Sequence, residues 1–139
     1  ATDDALAAVE AGTMAATVAQ QPDLMGATAV ETAIKLINGE TVEKVAFVAS
    51  REIAEGYTLL EHGMLYARNS EITDAAAFVE GVAGVNKFTA SGTGMKGALT
   101  LNVKLNGATS IKVRAYAIVK NNETGVVTTL YSGMSTYTK

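Results

Sequence analysis

Three groups of residues in this 139-residue chain have types and spacings that could support chemistry. Gly92-Thr93-Gly94-Met95-Lys96-Gly97 spells GxGxxG, the pattern of a loop that wraps a dinucleotide pyrophosphate. That chemistry requires the loop to follow a strand and to open a helix, whose N-terminus holds the phosphates. Here GALTLNVKLN follows, an alternating strand pattern, so the glycines are expected to form a flexible inter-strand loop. His62 is the sole histidine, and with Glu61 and Ser50 or Ser132 it could form a Ser-His-acid set. No nucleophile-elbow pattern surrounds either serine, so His62 is expected to be a hydrogen-bonded structural residue in a strand. Tyr57, Tyr66, Tyr116, Tyr131 and Tyr137 could supply an aromatic face for carbohydrate stacking. Tyrosine at half-buried strand positions is also ordinary sheet packing, and that is the expectation adopted for these five.

Other sites are excluded by what the chain lacks. It has no cysteine, hence no disulfide, thiolate metal site or cysteine nucleophile. A single histidine without cysteine argues against zinc, and no DxDxDG spacing suits calcium. Asp3-Asp4 is the only adjacent acidic pair and suits a helix start. Asn122-Glu123-Thr124 is a formal glycosylation sequon whose expected meaning is an exposed turn. No catalytic residue, metal or cofactor is expected.

The elements that would carry these residues follow two patterns. Thr2 is a plausible N-cap for an apolar-faced helix over 3–11, with Ala5, Leu6, Ala8 and Val9 inward and Gly12 as left-handed cap. A short strand follows at 14–20. Pro22 then opens a second helix in which Met25, Val30, Ala33, Ile34 and Ile37 recur at helical spacing, ending at Gly39. From Lys44 the apolar period changes from 3.6 to 2. Val45, Phe47 and Ala49 share one strand face. So do Leu99, Leu101, Val103 and Leu105, and so do Ile111, Val113, Ala115, Ala117 and Val119. Further strands are expected in GYTLLEHGMLYARN and VVTTLYSGMSTYT, with turns at Asn106-Gly107 and Asn121 through Gly125. DAAAFVEGV, residues 74–82, reads either as a helical turn or as a loop crossing between sheets. The fold class implied is mainly β: an antiparallel sandwich over 44–139 with a helix-strand-helix appendage over 1–43.

Charge divides the same way. Residues 1–43 hold seven acids against Lys35, whereas 44–139 hold ten Lys and Arg against seven acids. The basic excess is not clustered, so nucleic acid is not an expected partner. No apolar run is long enough to span a bilayer. Because residue 1 is alanine and no signal peptide is present, a processed or excised chain is expected.

Each half resembles a known family. ATVAQQPDLMG followed by AVETAIKLINGE resembles the C-terminal end of periplasmic sugar-binding proteins of the ribose-receptor type, over about residues 2–43. In that family the strand leads to the hinge between two lobes, and a glutamine there faces the sugar. The resemblance places that role on Gln20, the one candidate ligand-binding residue. The lobes that would enclose the sugar are absent from this chain, so Gln20 is expected to be a leftover polar residue at a strand end. KVAFVASREIAEGYTLLEHGMLYARN, KVRAYAIVKN and TLYSGMSTYT resemble an immunoglobulin-like or fibronectin-type repeat of Gram-positive bacterial surface proteins. TVEKVAFVAS reads as either family's strand, a natural crossover point, and the chain is therefore expected to be a chimera of two folds, engineered or recombined. The resemblances imply a non-enzymatic structural or adhesive module outside the bacterial cell, on the cell surface or secreted. The alternatives are a carbohydrate-binding module or solute-binding fragment, and a chimera of interest for folding or assembly. Implied partners are a second copy, through the N-terminal segment or edge strands, and glycans or surface proteins. Strand 14–20 is expected to complete a sheet edge, within the chain or by exchange between chains.

Overall fold

The computed structural model describes residues 2–20, 30, 31, 33–35, 37–39 and 44–139. In chain order these form α1 (Asp3–Glu10), β1 (Ala16–Gln20), β2 (Lys44–Ile53), β3 (Tyr57–Arg68), a single 3-10 turn (Ala75–Ala77), β4 (Asn86–Thr89), β5 (Lys96–Lys104), β6 (Ser110–Asn121) and β7 (Val127–Thr138). Of the second expected helix, residues 30, 31, 33–35 and 37 are helical, while Pro22 and Met25 lie outside the described residues. Val30, Ile34 and Ile37, three members of the expected apolar face, are exposed.

The chain is mainly β, in two antiparallel sheets. One has the order β1-β2-β5, the other β4-β3-β6-β7. Three connections carry the chain from sheet to sheet: β2 to β3, β4 to β5 and β5 to β6. Asn106 and Gly107 both have positive φ, as a two-residue hairpin turn requires. They nevertheless serve the crossing from β5 to β6, not a hairpin within one sheet. The turn through Asn121–Gly125 does close a hairpin, with Asn121 Oδ1 accepting from the Glu123 and Thr124 amides at 2.9 Å each.

Strand β1 completes the smaller sheet within the chain, pairing with β2 from Ala16↔Ile53 to Gln20↔Ala49. Its inward side chains, Ala16 and Val18, join the core. Helix α1 starts as its sequence dictates, the Ala5 amide donating to Thr2 Oγ1 at 3.3 Å. Gly12 takes the left-handed conformation, and the helix buries Val9.

Period-2 alternation fills the space between the sheets. One cluster contains Phe47, Ala49, Met64, Leu101, Val103, Ile111 and Val113. A second contains Ile53, Leu59, Ala117 and Val119, closed by Ala16 of β1. A third lies on the outer face of the four-stranded sheet, where Leu65, Ala67 and Tyr116 surround Phe78, a fully buried residue of the β3–β4 connection. Residues 74–82 therefore do not cross between sheets. They contain the 3-10 turn and roof one sheet, because β3 and β4 belong to the same sheet. Arg114 and Lys112 hold the roof by donating to the Ala75 and Ile72 carbonyls, the latter at 2.6 Å.

The β6–β7 ladder shifts register between Arg114 and Tyr116, so two residues of β7 oppose Ala115. The Ala115 amide donates instead to buried Ser132 Oγ at 2.9 Å, and that hydroxyl donates to Gly133 O at 2.7 Å. Ser132→Ala leaves the amide buried without its acceptor. The expected loss is about 1–3 kcal/mol, read from the urea midpoint at unchanged m-value.

Candidate functional site

Among the described residues, the polar side chains that could do chemistry fall into three places. The first is inside the sandwich. On β2 the inward residues are Val45, Phe47, Ala49, Arg51 and Ile53, which puts a guanidinium between the two inter-sheet clusters. On β3, Leu59 belongs to one cluster and Met64 to the other, and His62 stands between them. The register shift between Leu59 and Glu61 turns His62 rather than Glu61 inward. The β4–β5 crossing covers this polar break. His62 Nε2 donates to Gly92 O at 2.9 Å, and Arg51 Nε donates to Gly94 O at 3.1 Å. Both side chains are buried, at 3% and 9% exposure. His62 Nδ1 is buried without a partner among the described residues. Burial and then the Arg51 charge hold the imidazole below its ordinary pKa, and burial does the same to Arg51. A side chain at Gly97 would press on the guanidinium, since a Cβ there would stand 3.3 Å from Arg51 Nη1.

The second place is the outer face of β3 beside β4. Tyr116 donates its hydroxyl to Glu61 Oε1 at 2.8 Å and stands 3.1 Å from Thr89 Oγ1. Lys87 pairs with Glu61 at 2.6 Å and Glu80 at 2.9 Å, with its ammonium 5.2 Å from the Tyr116 ring centroid. Lys87 and then the Tyr116 hydroxyl lower the Glu61 pKa, while burial pushes the Tyr116 phenol up to about 12. Gly63 makes this cluster possible: a Cβ there would lie 1.8 Å from Phe88 O and 3.0 Å from the Tyr116 ring. A phenol so far from titrating, bonded to a carboxylate already paired with lysine, fixes strand β4 in place. It is not poised for proton transfer.

The third is an open groove of about 480 Å³ where the C-terminal end of α1 meets β2, lined by Val9, Glu10, Glu52, Ile53, Glu55 and Lys96 among others. Lys96 spans it, paired with Glu52 and 4.0 Å from Glu10.

These positions answer the sequence expectations one by one. The GxGxxG segment is the crossing from β4 and the first residues of β5, with no helix after it. Its carbonyls, rather than its amides, do the binding, and they bind the protein's own side chains. His62 lies in a strand and is hydrogen-bonded, as expected. The set His62, Glu61, Ser132 is not assembled: His62 faces Gly92, Glu61 faces Lys87 and Tyr116, and Ser132 serves the β6–β7 bulge. The five tyrosines are divided among all three clusters and form no common platform, Tyr116 being buried and the others half-buried. Gln20 ends β1 opposite Ala49, and its side chain lies outside the described part of the structure. Sequence reading missed Arg51 and Gly63. A charge at an inward position of an alternating strand, and a glycine inside a strand, are the signals that mark them. Among the described residues, no helix is long and apolar enough to cross a membrane, and no group of three or more His, Asp or Glu side chains could hold a metal ion.

No protein-family model matches the chain. No solved structure matches it either. Among curated proteins, a 54-residue stretch, 39% of this chain, is 50% identical to the ribose import binding protein of Haemophilus influenzae, of which it spans only 18%.

Proposed function

We propose that this chain is a non-enzymatic structural or adhesive module of a bacterial protein that acts outside the cytoplasm, built on an immunoglobulin-like sandwich whose first strand, β1, comes from a sugar-receptor fragment. The observation that supports this most directly is the strand order. Seven antiparallel strands lie in sheets β1-β2-β5 and β4-β3-β6-β7 and are joined by sheet-crossing connections. Sandwich modules of the immunoglobulin and fibronectin type have this layout at about this size. The use of polar groups supports it too: Arg51, His62, Ser132 and Arg114 spend hydrogen bonds on backbone carbonyls or amides within the chain. Its partners are surface proteins, glycans or a second copy.

A second reading, a solute-binding fragment, is favoured by the 50% identity to a ribose import binding protein. In that reading Gln20 contacts a sugar. Calorimetry with D-ribose, together with a glycan array, separates the two. The structural reading expects no saturable ribose heat up to millimolar concentration. Saturable binding that disappears in Gln20→Ala establishes the second reading instead.

A further inference from the structure

We propose that Arg51, His62 and the crossing Ala90–Met95 form an acid-sensitive latch, in which protonation of His62 releases the crossing from the side of the sandwich. The geometry carries this. The crossing is pinned at its ends by Ala90 N donating to His62 O and Ile53 N donating to Met95 O, both at 2.9 Å. Between those points residues 91–94 are exposed, and the side chains of His62 and Arg51 tie them down through Gly92 O and Gly94 O. A carbonyl only accepts, so the neutral imidazole carries its proton on Nε2, leaving Nδ1 as a buried acceptor without a donor among the described residues. Adding a proton from solvent charges a buried ring, and the backbone hydrogen bonds with Gly92 and Ser91 that favour the charged form do not offset that burial. It also places a second positive charge beside Arg51.

No acid on the surrounding described elements offsets this. Arg51 of β2 is the charged group facing the imidazole. Strand β6 places Ala117 opposite it, and β1 contributes apolar Val18. Residues 90–95 contain no titratable side chain. Glu61 lies next to His62 in sequence but is turned to the other face, where Lys87 and Tyr116 hold it. Lys96, at the start of β5, is paired with Glu52. The open form, in which water reaches both ring nitrogens, is the form that accepts the proton.

The direction with pH follows from linkage. The imidazole pKa is lowered in the closed form, so closure is fully stabilised above the ordinary histidine value of about 6.5. As pH falls below that value the opening constant rises by about tenfold per pH unit, until the closed-form pKa is reached.

His62 is the only histidine, so its imidazole resonances in the full-length chain report the titration without assignment. Amide hydrogen exchange of Ala90 and Ile53, the two amides that pin the crossing, corrected for the intrinsic rate, reports opening at the same pH values. The expected result is a midpoint below 6.5 and exchange at these two amides that rises about tenfold per pH unit beneath 6.5. His62→Gln, which keeps an N–H donor but does not titrate, is expected to abolish that pH dependence. A midpoint at or above 6.5, or exchange independent of pH, overturns the latch, as does a pH dependence retained in His62→Gln. If the glutamine variant fails to fold, the two measurements on the native chain decide the matter alone.

Discussion

Replacing Gly63 with alanine is expected to lower stability by more than about 4 kcal/mol, at the upper end of what a single substitution does. One methyl group has this effect because of where strand β4 lies. Gly63 pairs with Thr89 on one side and Tyr116 on the other. The added Cβ would stand 1.8 Å from the Phe88 carbonyl oxygen, a backbone atom with no rotamer by which to move away. Relief requires β4 to leave the sheet. That would part Lys87 from Glu61 and Thr89 from the Tyr116 hydroxyl, and would loosen the roof that Lys87 holds through Glu80. Chemical denaturation with circular dichroism reads the loss, and Gly133→Ala is the control. Gly133 also lies within a strand, but a Cβ there meets nothing within 4 Å, so a change of less than about 1 kcal/mol is expected. Equal effects at the two glycines would refute the assignment of Gly63 to close backbone approach.

The second large effect is expected at Phe78. Its side chain is fully buried against Leu65, Ala67 and Tyr116 on the outer face of the four-stranded sheet. Phe78→Ala removes a large apolar side chain and leaves a cavity beneath a connection that carries only a 3-10 turn, so about 3–5 kcal/mol is expected to be lost. The loss should be local before it is global. Amide exchange over residues 70–85 should accelerate at denaturant concentrations where the inter-sheet core of Phe47, Met64 and Val113 remains protected. The polar ties of Arg114 to Ala75 and Lys112 to Ile72 remain in the variant but cannot replace the buried area. Uniform acceleration across both cores would show that the roof is not a separable unit.

The contrast between these two residues shows what kinds of information a linear pattern carries. The inward faces of β2, β5 and β6 follow from alternation alone, and the residues expected there line the core, with Ile111, Val113, Ala115, Ala117 and Val119 fully buried. Thr2 as N-cap, Gly12 as left-handed cap and the turn at Asn121–Gly125 follow from local conformational chemistry in the same way. Alternation does not say which sheet a strand joins. Asn106-Gly107 has the chemistry of a hairpin and serves a crossing between sheets, because strand partnership is fixed by packing over the whole chain. Nor does alternation show a second core. Phe78 sits in a segment of short apolar residues without clear period, and its burial depends on the roof being folded back by Arg114 and Lys112, about forty residues away.

The candidate polar centre divides along the same line. Sequence by itself determined that this is a mainly β chain without cysteine, with one histidine in a strand and a glycine-rich segment that cannot be a dinucleotide loop, because a strand follows it. Those conclusions rest on residue types and on periods of a few residues, which covalent geometry imposes locally. Only the tertiary structure decided that Arg51 and His62 share the interior and that Gly92 and Gly94 present their carbonyls to them. It also decided that Ser132 and Glu61 go elsewhere, and that β1 pairs with β2 within one chain. The hydrogen bonds among those outcomes join groups from 17 to 55 residues apart, and are fixed by the requirement that buried donors find acceptors once the sheets close.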